Sequence, residues 1–367
     1  MIFLNQLSKQ EARNILDYDI FDILNIIKKI NINKTNKNIT YSRNIFLPLT
    51  HICQNNCGYC TFKQTPQEAD FLLMDKVEVL STIKKSMKYG CTEALFTFGE
   101  SADKNELIQE KLSRYNYESM VDYLYDLSKE ALNNYNILPH TNMGIISRDE
   151  LYKLSQVNAS MGLMLETTNE KLLKTIVHRD SPGKNPKKRI EFIENAGKEN
   201  IPFTTGLLIG IGESKNDRID SLLKIREIQD QYGHIQEIIL QNFKPKSGIP
   251  MENHPEPPLV DLIKLTLVAT LMFPDISIQI PPNLNQKLIS LFAFMGADDV
   301  GGISPLTMDY VNPESKWPKI KELEYELNSI NYNLVERLPV YDKYIDETYL
   351  KKEVYEKALK LQKRIKN

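Results

Sequence analysis

Cysteine is scarce in this chain of 367 residues: there are four, and a single tryptophan. A tight triplet plus one distant Cys91 does not make the framework of a secreted, disulfide-stapled domain. Neither sign of charge is in excess. Lys+Arg is 46 against 48 for Asp+Glu, a net charge of −2, which gives no support to a nucleic-acid partner recognised through bulk electrostatics. Low-complexity tracts and short repeats are missing too. The most apolar segment, 257–273, carries Asp261 and Lys264 and reads as a buried amphipathic helix rather than a membrane span. The N-terminal stretch MIFLNQLSKQEARNILDYDIF lacks a basic start, a long apolar run and a small-residue cleavage site, so no signal peptide is expected. The expectation is a cytoplasmic protein with neither membrane nor nucleic acid as partner.

What is present is an alternation. Hydrophobic residues, at 41%, suffice for a large core, and α/β barrels commonly run this long as one domain. Runs rich in β-formers occur at 44–51, 93–99, 137–144, 159–167, 203–212, 235–243, 275–282 and 297–302. Segments of helical periodicity lie at 74–89, 117–136, 148–156, 187–199, 215–231, 257–272, 284–295 and 315–329. Gly90 is a C-cap candidate, and Pro257–Pro258 opens the sixth helix. Eight βα units in series predict an α/β fold of the TIM type, a (βα)8 barrel. The predicted division is an N-terminal helical extension over 1–36, the barrel over 37–336, and a C-terminal loop and helix over 337–367.

In such a barrel the loops after the strands gather at one end, where active sites lie. Polar residues collect there: the cysteine triplet after the first strand, Glu100 after the second, Asn142 at the end of the third and Glu166 at the end of the fourth. Gln241 and Asn242 end the sixth strand, and Asn283 follows the seventh. The triplet, in THICQNNCGYCTF (50–62), has the spacing Cys53-x3-Cys57-x2-Cys60, and Gly58 with the polar QNN suggests an irregular loop able to wrap a compact centre. A zinc site with His51 as fourth ligand, a redox pair in Cys57–Cys60 and an iron–sulfur cluster with one open iron all remain possible on spacing. Cys91 reads as a packed core thiol.

Cys53-x3-Cys57-x-Tyr59-Cys60 after a first barrel strand resembles the signature of the radical S-adenosylmethionine (SAM) enzymes. The resemblance implies a [4Fe–4S] cluster on Cys53, Cys57 and Cys60. Its fourth iron would be chelated by SAM, whose cleavage gives a 5′-deoxyadenosyl radical. It also implies a SAM site. Tyr59 matches the aromatic residue near adenine, and TFGES (97–101) matches the strand end that meets the SAM ammonium. There Phe98 stands where the superfamily has a first glycine, followed by Gly99 and Glu100. Glu166 matches the acid that binds the ribose, and Arg189 the arginine that clamps the SAM carboxylate. GLLIGIGES (206–214), with Ile209 and Gly210, resembles the fifth strand whose backbone edge meets adenine.

Longer stretches narrow the resemblance. NIFLPLTHICQNNCGYCTF, VHRDSPGKNPKKRIEFIENAGKENIPFTTGLLIGIGES, GHIQEIILQNFKPK, PPNL and GGISPLTMDYVNPESKWP are together similar to the cyclising subunits of 7,8-didemethyl-8-hydroxy-5-deazariboflavin synthases, from about residue 40 to 320. That resemblance implies a lyase of coenzyme F-420 biosynthesis. It would act on the adduct 5-amino-5-(4-hydroxybenzyl)-6-(D-ribitylimino)-5,6-dihydrouracil, supplied by a sister radical SAM subunit from tyrosine and a diaminouracil. Hydrogen abstraction, ring closure and release of ammonia would follow, fed by a low-potential donor such as ferredoxin or flavodoxin. Polar groups near strand ends, Asn142, His178, Gln241, Asn242 and Asn283, are candidates for substrate contacts. Competing readings are a neighbouring radical SAM activity, either the tyrosine-cleaving sister or an aminofutalosine-type synthase, and a non-catalytic zinc- or cluster-binding module.

Overall fold

A computed structural model describes residues 7–33 and 37–366. Eight strands run parallel in chain order: β1 (Asn38–Leu47), β2 (Glu93–Thr97), β3 (Leu138–Asn142), β4 (Ser160–Gly162), β5 (Phe203–Ile209), β6 (Ile235–Asn242), β7 (Ser277–Gln279) and β8 (Asp299–Ile303). Each pairs with its successor, and β1 pairs with both β2 and β8, which closes the barrel. All seven residues of β5 are buried, as expected of a parallel strand covered on both faces.

Twelve α-helices accompany the strands among the described residues. They are α1 (Lys9–Asp17), α2 (Ile20–Asn33), α3 (Lys76–Ser86), α4 (Glu106–Arg114), α5 (Met120–Asn134), α6 (Arg148–Ser155), α7 (Pro186–Lys198), α8 (Lys215–Tyr232), α9 (Leu259–Met272), α10 (Ile289–Phe294), α11 (Ile320–Asn328) and α12 (Lys352–Lys366). Local chemistry sets many of their starts. Ser147 with Glu150 and Ser214 with Asp217 form reciprocal capping boxes for α6 and α8. Asn185 caps α7 just ahead of Pro186, whose missing N–H costs nothing at a first helical position. Each such cap stabilises its helix by about 1 kcal/mol.

Three features differ from the sequence expectation. The leading helical segment is divided at Tyr18, which is extended, because the Asp19 carboxylate accepts from the Phe21 and Asp22 amides and starts a second helix. The span between β2 and β3 holds α4 as well as the expected α5. A ninth strand, β9 (Asn333–Arg337), pairs in parallel with the first half of β1. It occupies the stretch of β1 that precedes the β2 ladder, which begins only at Asn44.

After β9 the chain crosses the bottom of the barrel. The Arg337 guanidinium bonds Asp299 (Nε–Oδ2 2.6 Å) and Glu237 (Nη2–Oε1 2.8 Å) and stacks on Tyr341, 4.1 Å from its ring centroid. The Pro339 carbonyl accepts from Ser160 Oγ at 2.9 Å and Gln236 Nε2 at 3.0 Å. Leu338, Val340, Tyr344 and Leu350 then pack with α12 against Leu132, Leu138 and Ala159 in a core of their own. Among the described residues no helix is long and apolar enough to cross a membrane, and the apolar 257–273 stretch is the buried α9.

Candidate active site

The loop after β1 carries the three cysteines across the top of the barrel. Its backbone is tied to other βα loops: Gln54 N donates to Glu100 O (2.9 Å), Asn56 N to Asp180 O (2.9 Å) and Gly58 N to Val177 O (2.9 Å). The contact with the end of β2 is the closest. Gly99 N donates to Thr50 O at 3.0 Å, and a Cβ on Gly99 would fall 1.9 Å from Ile52 O and 2.9 Å from Cys53 Cβ. No side chain fits there, so glycine at 99 is what lets the cysteine loop seat on β2.

Cys53, Cys57 and Cys60 line one cavity of about 400 Å3 and form no disulfide. Phe98, Gly99, Glu100, Tyr59, Asn142, Glu166, Arg189, Gln241, Asn242 and Asn283 line the same cavity. Burial pushes the Cys53 thiol up to about 11 and raises that of Cys57, although the Lys184 charge and a Ser181 hydrogen bond oppose the rise at Cys57. Thiols so placed need a cationic centre to lose their protons. His51 is engaged elsewhere: its Nδ1 lies 2.9 Å from Phe62 O, and its ring packs with Phe62, Phe71 and Tyr310. Cys91 is buried in the core with its thiol donating to Asn44 O at 3.2 Å.

Glu166 has φ +66°, a left-handed conformation that a residue other than glycine, Asn or Asp seldom adopts. The turn lifts its carboxylate off the strand end, and an isolated bridge to Leu207 anchors the backbone there. Its Oε1 takes Lys184 Nζ at 2.5 Å and the Tyr59 hydroxyl at 3.3 Å. Burial acts to raise the carboxyl, but the Lys184 and Arg189 charges outweigh it, and Glu166 titrates below the usual range. Arg189 is buried and aimed by two carbonyls, Met164 O (2.6 Å from Nε) and Gly183 O (2.7 Å from Nη1). Its Nη1 stands 3.6 Å from Glu100 Oε2, which also accepts from Asn55 Nδ2 at 2.9 Å.

Three expected contacts are not found in the cavity wall. His178 is buried but bonds Tyr59 (Nε2 to hydroxyl 3.1 Å), and burial with the Lys184 charge depresses it to about 4, so it is neutral. Ile209 is buried and does not line the cavity, and neither does Gly210, whose Cβ position meets Pro257. The strand's two-residue period puts Leu208 on the cavity face instead. Asn242 and Asn283 line the wall with their amides engaged: Asn242 Oδ1 accepts from Asn285 (2.9 Å), and Asn283 Nδ2 donates to Asp309 (2.8 Å). Sequence reasoning missed Lys184, which stands at no strand end, and Arg337, Glu237 and Asp299 at the cavity floor.

Thiols after the first strand of a closed parallel barrel share one cavity with carboxylates at later strand ends, the arrangement expected of a radical SAM protein. Residues 47–225 match the Radical SAM superfamily profile. The fold agrees with that of two solved structures. The FeFe-hydrogenase maturase HydG from Carboxydothermus hydrogenoformans superposes with a TM-score of 0.72, 17% identity, and coverage of 99% of this chain and 87% of that one. Methylornithine synthase gives 0.70 at 18% identity, covering 90% of this chain and 95% of that one.

Relatives at higher identity narrow the class. The 7,8-didemethyl-8-hydroxy-5-deazariboflavin synthase of Methanococcus vannielii is 51% identical, over 96% of this chain and all 100% of that one. That of Methanocaldococcus jannaschii is 52% identical, over 97% of this chain and 98% of its own. The chain belongs to the 7,8-didemethyl-8-hydroxy-5-deazariboflavin synthase family.

Proposed function

We propose that this chain is the cyclising, ammonia-releasing lyase of deazaflavin synthesis, a cytoplasmic step toward coenzyme F-420. What supports the reading above all is similarity at about half identity along nearly the whole chain to synthases named for this product. Three features of the site support the group the superfamily implies. Three thiols share one cavity, Lys184 brings positive charge toward Cys57, and the side-chain-free Gly99 seats the loop. Cys53, Cys57 and Cys60 would hold a [4Fe–4S] cluster, leaving its fourth iron for SAM. When bound, cluster and SAM supply one-electron cleavage to a 5′-deoxyadenosyl radical that abstracts hydrogen from substrate.

The protein's own groups do the rest. Glu166, kept ionised by Lys184 and Arg189, offers two acceptor oxygens to a ribose diol. Tyr59 and Phe98 give apolar surface beside the cysteines, and Glu100 with the backbone of Gly99 faces a substrate ammonium. Arg189 presents its planar guanidinium to a carboxylate. The depth of the cavity suits it to hold the reacting carbon near the attacked C–H, with bound substrate displacing the water that would quench a radical. The substrate is the tyrosine–diaminouracil adduct made by a sister radical SAM subunit, and ferredoxin or flavodoxin delivers the electron.

The test is anaerobic reconstitution with iron and sulfide, then incubation with reductant, SAM and the adduct. Deoxyadenosine, ammonia and a fluorescent deazaflavin are expected. Turnover of tyrosine and the diaminouracil, with none of the adduct, would point to the sister activity. Stoichiometric zinc on the three cysteines in protein purified anaerobically from its native cells would refute the radical reading.

A further inference from the structure

Parallel barrels ordinarily fill their axis with layers of branched apolar side chains. Here the cavity that opens among the cysteines continues between the strands down to Glu237, Arg337 and Pro339. Along β6, Glu237, Ile239 and Gln241 face it, joined by Asn242 at the strand end. Gln279 of β7 lies in register with Ile239, and Asn44 of β1 also faces the cavity. Between β7 and β1 runs β8, which presents Gly301 and Gly302. A Cβ on Gly301 would fall 2.3 Å from Gln279 Nε2, and one on Gly302 would fall 2.1 Å from Asn44 Nδ2. The glycine pair thus leaves room for two amides from the flanking strands to lie over bare backbone.

These amides lack partners. Among the described residues neither Gln241, which is half-buried, nor Gln279, which is 8% exposed, makes a side-chain hydrogen bond, so both amides are left facing the cavity. Asn44 Oδ1 is buried and unpaired. Buried amides are normally paired, because desolvation without a hydrogen bond costs free energy. Asn242 and Asn283, in the same wall, follow that rule.

We propose that Asn44, Gln241 and Gln279 form the subsite for the polyhydroxylated ribityl chain of the deazaflavin and of its precursor, an assignment that rests on the function proposed above. An amide offers a donor and an acceptor side by side, and each hydroxyl of a polyol offers the same pair. The amides also stand at two depths. Gln241 lies two residues beyond Ile239, and so beyond Gln279, a rise of about 7 Å, comparable to an extended five-carbon chain. The chain then points to the floor and leaves the aromatic rings at the cysteine end, where hydrogen is abstracted.

Equilibrium dialysis of the anaerobic, cluster-loaded enzyme tests this with two probes: 7,8-didemethyl-8-hydroxy-5-deazariboflavin and its 10-methyl analogue, which keeps the rings and lacks the chain. Wild type should bind the ribityl compound at least about tenfold more tightly, since several hydrogen bonds are lost with the chain. Gln279→Leu should weaken that ligand about three- to tenfold, one neutral hydrogen bond, and leave the analogue unchanged. Equal binding of the two probes by wild type, binding of neither, or an equal loss of both in the variant overturns the subsite. The wild-type comparison decides even where the variant does not fold. Product formation from the adduct reports the parent function separately: product with chain-independent binding removes the subsite alone, whereas no product removes the function itself.

Discussion

Replacing Arg337 by methionine keeps most of the side-chain length and removes the charge that two buried acids share. In the native protein Asp299 Oδ2 and Oδ1 take Arg337 Nε and Nη2 at 2.6 and 2.9 Å, and Glu237 Oε1 takes Nη2 at 2.8 Å. Burial raises the Glu237 carboxyl above the usual carboxylate range, Arg337 opposes the rise and Asp299 adds to it. Breaking a buried pair from one side costs about 3–5 kcal/mol, because the remaining charge is stranded. The cavity reaches these groups, so water hydrates them in part and the lower end, about 3 kcal/mol, is expected. With an unfolding entropy of ~2.1 cal/mol/K per residue, about 0.8 kcal/mol/K for this chain, that is a fall in Tm of about 4 °C.

The loss must also depend on pH with a definite sign. Without Arg337, which opposes the rise, the folded-state pKa of Glu237 lies further above its unfolded value, so the native state binds more protons. Stability then falls as pH rises, and the deficit of Arg337→Met relative to wild type is larger at pH 8 than at pH 6. Thermal unfolding followed by circular dichroism at the two pH values measures both quantities. A change in Tm under about 1 °C, or a deficit that grows as pH falls, would refute the account of the barrel floor. Adding Glu237→Gln and Asp299→Asn to the variant should recover part of the loss.

Two further outcomes concern the cysteine loop. Cys57→Ala should abolish SAM cleavage and lower bound iron while far-UV circular dichroism is unchanged, whereas Cys91→Ser, a core substitution outside the cavity, keeps its iron. Gly99→Ala should lose about 1–3 kcal/mol of stability and bind less iron, because its Cβ meets the Ile52 carbonyl at 1.9 Å and has to push the loop away. Normal iron loading in that variant would show that the loop does not depend on this contact.

How far the sequence is legible depends on the range of the interactions involved. The eight strands and most helices could be read because burial period and capping act over a few residues, as in Ser214 with Asp217. Where a single residue breaks the pattern, the reading blurs. The apolar run 159–167 looks like one strand, but the ladder covers Ser160–Gly162, and the left-handed Glu166 then turns the backbone away. The cysteines, Glu100, Glu166 and Arg189 stood out through motif and strand-end position, and all line the one cavity. Lys184 and Arg337 did not stand out. The partner of Lys184 is reached through a looped 18-residue separation, and those of Arg337 lie 38 and 100 residues back. Ion pairs of that span leave no local pattern in composition or period.

The pairing of β9 with β1 also bears on how the molecule assembles. Residue Asn38 meets Asn333 in that ladder, a separation of nearly the whole chain. A polypeptide leaving the ribosome N-terminus first would present β1 with half of one edge unpaired until residues 333–337 emerge. Until then Asp299 and Glu237 also wait without their cation. Contacts of such long range are made late and slowly in folding. The floor of the cavity therefore cannot close before synthesis has passed β9.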